Sequence, residues 1–107
     1  MNLEEFLNKM AELASRDWNR FNENFKYANI GVCFVLSKSV VEARYLHNYI
    51  KKLAYEGLLL ILARSWFLNK EGEDTKELYN IVKKGIESKV ITEKDIDELF
   101  EYFIRGY

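Results

Sequence analysis

His47 is the only histidine and Cys33 the only cysteine in a chain of 107 residues, and that scarcity decides most of the chemistry the sequence can carry. One histidine cannot build a histidine metal cage or a His–His relay within one chain. One cysteine can neither close an intrachain disulfide nor complete a zinc site. Cys33 falls in the apolar run Ile30 to Leu36, a setting for a small buried hydrophobe rather than for a thiolate, which needs electropositive and partly exposed surroundings. Around His47 stand Arg44, Tyr45, Asn48, Tyr49 and Lys51, the one place where a base, hydrogen-bond donors and aromatics coincide. A ribonuclease-like general base is the chemistry such a cluster would offer, and the isolation of His47 argues against it.

Carboxylates are more plentiful. Glu71, Glu73, Asp74 and Glu77 gather about Gly72, but without the alternating spacing and closing glutamate of a calcium loop, so they read as a solvated loop and helix cap. Glu93, Asp97 and Glu101 recur every four residues, which sets three carboxylates on one helix face. Their apolar neighbours point the other way, and Lys94 and Arg105 partly offset them, so this is a water-facing side. There is no glycine-rich phosphate loop, no G-x-S-x-G and no two-cysteine motif. No catalytic residue, metal ligand or cofactor site is assigned, and the chain reads as non-enzymatic.

Charge is informative through its distribution. The formal net charge is −1, yet residues 1–70 hold ten Lys/Arg against seven Asp/Glu and residues 71–107 hold six against ten. Lys26, Lys38, Arg44, Lys51 and Lys52 face only Glu42 in their stretch of chain, a local basic excess beside Tyr45, Tyr49 and Tyr55. If RNA or DNA is a partner, Lys38, Arg44, Lys51 and Lys52 are the residues expected to neutralise phosphate, with the tyrosines offering stacking surfaces.

The elements that must position these groups are helices. Apolar residues at Leu3, Leu7, Met10, Ala14, Trp18, Phe21, Phe25, Ala28 and Val32 step by three or four, which holds them on one face of a continuous helix through Val35. Asn2 and Glu5 form its capping box, and Glu5/Lys9 and Glu12/Arg16 are acid-before-base pairs on its outer face. Ser39 and Glu42 fit a second capping box. From Val40 one apolar face runs through Leu46, Ile50, Leu53, Leu60 and Phe67 and another through Ala54, Leu58, Leu62 and Trp66, so this helix is buried from two directions. Gly72 is placed as a left-handed helix terminator. A third helix opens near Asp74 with Leu78, Tyr79, Ile81, Val82 and Ile86 inward, and a fourth at Thr92 with Ile96, Leu99, Phe100, Phe103 and Ile104 inward.

The fold expected is therefore all-α, a long antiparallel hairpin followed by two shorter helices, in one domain over residues 1–107. At about 1.5 Å per residue the two long helices would each reach on the order of 45–50 Å, more than a compact domain of this size holds. The alternative is a break near Asn22–Asn24 and another near Gly57, giving a compact bundle of five or six helices. In the hairpin, a fold-back about Lys38 sets Trp18 near Gly57 or Leu58, Gly31 near Tyr45 and Ala14 near Leu62, large residues against small ones.

Composition supports a packed core: 49% of residues are hydrophobic and 15% aromatic. Proline and glutamine are absent while Lys, Glu, Tyr and Ile abound, a balance met in thermophile proteins. The nine asparagines argue the other way. The first residues lack a basic segment followed by an apolar core, so no signal peptide is expected. The apolar block Leu58–Leu68 is shorter than the about 20 residues a bilayer requires. The expectation is a cytoplasmic protein without membrane contact, acting through a homo-oligomer, most simply a dimer, or as a small subunit beside a protein partner. Phe34, Leu59, Ile61 and Trp66 are the residues expected at that interface, because the second long helix carries more apolar surface than two short helices can cover.

Overall fold

Asn2 opens the first helix as the sequence implies: its side chain accepts from the Glu5 amide and the Glu5 carboxylate accepts in return from the Asn2 amide. The computed structural model describes residues 1–28, 34–44 and 47–106, excluding the side chains of 27, 28 and 34–37. Among these residues it contains six helices, α1 (Leu3–Arg16), α2 (Trp18–Ala28), α3 (Phe34–Glu42), α4 (Asn48–Leu68), α5 (Glu73–Glu87) and α6 (Glu93–Arg105), and no strand. The architecture is an all-α bundle.

The continuous helix expected from Leu3 to Val35 is broken at Asp17. That residue is extended (φ −155°, ψ 90°), and its carboxylate accepts from the Arg20 amide at 3.1 Å. A short carboxylate that can cap a following helix competes with helix continuation. The break comes there rather than at Asn22–Asn24 because those two asparagines make tertiary bonds from within α2. Asn22 Oδ1 accepts from Arg64 Nε at 3.1 Å, and Asn24 Nδ2 donates to the Phe103 carbonyl at 2.6 Å. The second long helix is likewise displaced. Ser39 lies inside α3, and α4 begins only after His47, whose Nδ1 accepts from the Tyr49 amide at 3.1 Å. Gly57 does not interrupt α4.

With extents of 41 × 29 × 25 Å and a radius of gyration of 12.9 Å, the molecule has the size of a compact domain rather than an extended hairpin. The expected hairpin register is not found. Trp18 stacks on Phe21 and Phe67, with ring centroids 5.8 and 5.5 Å away, and the Arg64 guanidinium lies 5.5 Å from its ring centre. Arg64 and Phe67 lie about two to three turns beyond Gly57 along α4. Ala14 and Leu62 are both enclosed in the common core. The pairing of Gly31 with Tyr45 falls outside the described residues.

Helix α4 is the axis of the bundle, with α1, α3 and α5 packed directly against it. Its buried residues Tyr55, Leu58, Leu59, Leu62 and Ala63 meet Phe6, Leu7 and Met10 of α1, Leu78 and Val82 of α5 and Phe103 of α6 in one hydrophobic cluster. Gly85 admits the closest approach of α5, since a Cβ there would lie 2.5 Å from the Tyr55 ring. The α4–α5 corner is tied by Thr75, 2% exposed, which shares a hydrogen bond with the Ser65 hydroxyl and donates to the Asn69 carbonyl at 2.7 Å. Gly72 is not a left-handed terminator. It has φ −66° and stands at the start of α5, while Asn69 ends α4. The left-handed position is Lys89 at φ 62°, which turns the chain so that Val90 and Ile91 amides donate back to the Gly85 carbonyl. Thr92 and Asp95 then form the box that opens α6.

Candidate interaction surface

The four cations proposed for nucleic acid do not form one free patch. Lys38 reaches from α3 to Glu77 of α5 at 2.6 Å, and Lys52 reaches from α4 to Asp95 of α6 at 2.7 Å. Each bond to a carboxylate holds its ammonium above the usual lysine pKa. Asp95 is itself only 9% exposed. Burial pushes its carboxyl up, but hydrogen bonds from Lys52 and from the Thr92 amide and hydroxyl outweigh that and leave it below the usual carboxylate range. Arg44 is exposed and Lys51 half-buried, and neither forms an ion pair among the described residues.

The other chemistry-bearing residues resolve into structural parts. His47 caps α4. Cys33 and Tyr45 lie outside the described residues. Among the described residues no group of three or more His, Cys, Asp or Glu could hold a metal ion, and no helix is long and apolar enough to cross a membrane.

The proposed oligomer residues are placed as follows. Phe34 lies outside the described side chains. Leu59 is 0% exposed and has no surface to offer a second copy, because it points from α4 into the core. Ile61 is half-buried and packs against the core. Trp66 is half-buried, stacked on Tyr79 at 6.2 Å, with the Lys70 ammonium 4.5 Å from its ring centre. Tyr79 is held in turn by donating to Glu4 at 2.6 Å, and this packing accounts for the hydrophobic character that made Trp66 conspicuous in the sequence.

The large apolar side chains that do reach solvent are elsewhere. Tyr49, Ile50 and Leu53 in the first half of α4 are 63%, 45% and 49% exposed, Tyr102 of α6 is 59% exposed, and Leu68 at the end of α4 and Ile104, expected inward on α6, are exposed as well. Tyr49, Leu53, Gly57 and Leu60 follow one another at steps of four, four and three residues, which places them along one face, with Ile50 beside Tyr49. Along the second half of α4 this face is covered by Trp18 and Phe25 of α2, over which Arg64 is laid. Along the first half Tyr49, Ile50 and Leu53 stay exposed.

Between α4 and α6 the uncovered face opens into a groove of about 410 Å³, lined by Leu53, Glu56, Gly57, Leu60, Glu98, Leu99 and Tyr102. Leu60 and Leu99 form an apolar base, Gly57 leaves it without a side chain, and the Lys52–Asp95 bridge ties the two helices at one end. Glu56 is pushed above the usual glutamate pKa, chiefly by burial and further by Asp95 and Glu98, with Lys52 opposing. A half-buried carboxylate next to a second one on an apolar groove is an arrangement that a cation would improve. The sequence holds a signal for this surface in the double apolar face of the second helix, but of Ile50, Leu53 and Leu60, all expected inside, only Leu60 is buried. No protein-family model, no curated protein and no solved structure matches this chain.

Proposed function

We propose that this protein is a non-enzymatic helical interaction protein that acts as a homo-oligomer, or as a small subunit, through the apolar face of α4 and the groove beside α6. The observation that supports it is the exposure of Tyr49, Ile50 and Leu53 in the first half of α4, together with Tyr102, which lines that groove with Leu53. Soluble monomers seldom leave a contiguous apolar patch of several hundred Å² uncovered, and such patches usually mark an interface. The reading as a nucleic-acid-binding accessory protein has less support, since Lys38 and Lys52 are committed to Glu77 and Asp95. The testing experiment is sedimentation velocity with light scattering on the full chain over a concentration series. A mass above that of one chain at tens of micromolar is expected. A single monomeric species throughout would overturn the oligomeric reading.

A further inference from the structure

The uncovered stripe of α4 is complementary to itself. Tyr49 and Gly57 stand four residues on either side of Leu53, so two α4 helices laid antiparallel about a two-fold axis at Leu53 oppose the most exposed aromatic of one copy to the missing side chain of the other. Large against small at mirrored positions is the condition for two helices to approach closely and interdigitate. The groove above Gly57, about 410 Å³, has room for a phenol ring, and Leu60 and Leu99 supply an apolar base for it. Resting on the oligomeric reading above, we infer that the protein forms a two-fold dimer in which Tyr49 of each copy fills the α4–α6 groove of the other, above Gly57, with the two Leu53 side chains meeting on the axis.

Charge selects this pairing over its alternative. In the antiparallel arrangement Glu56 of one copy comes within about half a turn of Lys52 of the other, on the same flank of the helix pair, so that the half-buried carboxylate gains a second lysine beside the Lys52 of its own copy. A parallel two-fold pairing would set Tyr49 against Tyr49, overpacked at the contact, and would carry the Glu56 and Lys52 side chains of the two copies to opposite flanks, where no charge pairing is gained. The neighbouring Glu98 favours the same cation and disfavours any second acidic surface. The four exposed side chains present on the order of 400 Å² per copy, about 800 Å² for the pair, which is the size of a weak, transient association. A micromolar dissociation constant is the affinity that fits such an area.

The test uses the full chain with Tyr49→Ala, Leu53→Glu and Glu56→Lys, and Leu68→Glu as a control at an exposed leucine outside the proposed contact. Tyr49 and Leu53 are largely solvent-exposed in the protomer, so these changes leave the core intact, and circular dichroism verifies it. Weakening of self-association by tenfold or more in all three, with the control unchanged, is the expected result. In a Cys33→Ser background, Leu53→Cys should give a covalent dimer with a short bis-thiol reagent, and Leu68→Cys should not. If the wild-type chain is a monomer, both the oligomeric reading and this interface fall. If it is a dimer that Tyr49→Ala and Leu53→Glu leave unchanged, the oligomeric reading stands and this interface is wrong. A dimer disrupted by Leu53→Glu but not linked through position 53 overturns the antiparallel register.

Discussion

Gly85→Ala should destabilise the protein, although the same change in an ordinary helix is favourable. Gly85 lies in the last turn of α5, buried against α4. A methyl group there would stand 2.5 Å from Cε1 and from Cζ of Tyr55 and 2.9 Å from Cδ1. Carbon atoms in good contact are about 3.5–4.0 Å apart, so the ring must withdraw by roughly 1 Å or the helices must part. Tyr55 is 6% exposed and set among the core residues of α4, which leaves it little freedom to withdraw. Overpacking of this kind costs about 1–3 kcal/mol. The gain in helix propensity offsets at most about 1 kcal/mol and less in a terminal turn. The expected net loss is about 1–2 kcal/mol, a fall in Tm of roughly 5–10 °C for a domain of this size. Urea unfolding followed by circular dichroism gives the number. The cause is isolated by repeating the substitution in a Tyr55→Leu background, where Gly85→Ala should become neutral or stabilising, with a coupling of at least about 1 kcal/mol between the sites. A stabilising Gly85→Ala in the native background would refute the reasoning, and so would an equal cost with and without the ring.

Three further changes follow from single positions. Lys89→Gly should stabilise by about 0.5–1 kcal/mol, because glycine relieves the left-handed backbone of Lys89 (φ 62°) at a helix terminus that favours it; thermal melts would show a small rise in Tm. Thr75→Val keeps the shape of a buried side chain but leaves the Asn69 carbonyl without the Thr75 hydroxyl, and a loss of about 1–3 kcal/mol is expected in denaturant titrations. Asp95→Asn removes the carboxylate that serves both Lys52 and the Thr92 cap, with an expected loss of about 1–2 kcal/mol at neutral pH. Because the folded pKa of Asp95 lies below its ordinary 3.8, its contribution is complete above that value and disappears as pH falls through the lower folded value. The stability gap between wild type and Asp95→Asn should therefore close on acidification below about pH 4, and a gap that stays constant would refute the assignment.

Much of the helical content is written in the sequence, and each departure has a physical cause. The box at Asn2/Glu5 and the helix start at Thr92 were readable because each rests on a side chain bonding to its own turn, independent of the rest of the fold. The phase of the apolar stripe from Leu3 to Phe25 was also correct, since Phe21 is buried in the same core as Leu7 and Met10. The break inside that stripe was missed, because a one-residue interruption at Asp17 does not disturb a periodicity averaging three to four residues. Asn22 and Asn24 looked like breakers, but their partners Arg64 and Phe103 are 42 and 79 residues away in the chain. Lys89 gives no sign of a left-handed turn, whereas Gly72 does and has none. For the two asparagines the deciding contact is tertiary.

The same distinction explains why the interface residues read from the sequence are not the ones on the surface. Periodicity showed that the helix around Leu60 carries two apolar faces, but periodicity cannot say which face another element will cover. That is settled by how far the covering helices extend. The turn at Asp17 directs α2 so that Trp18 and Phe25 lie over the Arg64 side of α4, and the face carrying Leu59 and Leu62 is enclosed within the core. With α4 running 21 residues and α2 only 11, Tyr49, Ile50 and Leu53 in the first turns of the remaining face stay exposed among the described residues, with α6 at the margin of the face. Tyr49, Ile50 and Leu53 are thus exposed by a mismatch in helix length. If that mismatch is the origin of the surface, hydrogen exchange should show it: amides in the first two turns of α4 exchange faster than those around Leu62 in dilute protein, and slow as concentration rises into the range where the chain associates. Uniform protection along α4 at all concentrations would mean that the exposed stripe is covered by something other than a second copy.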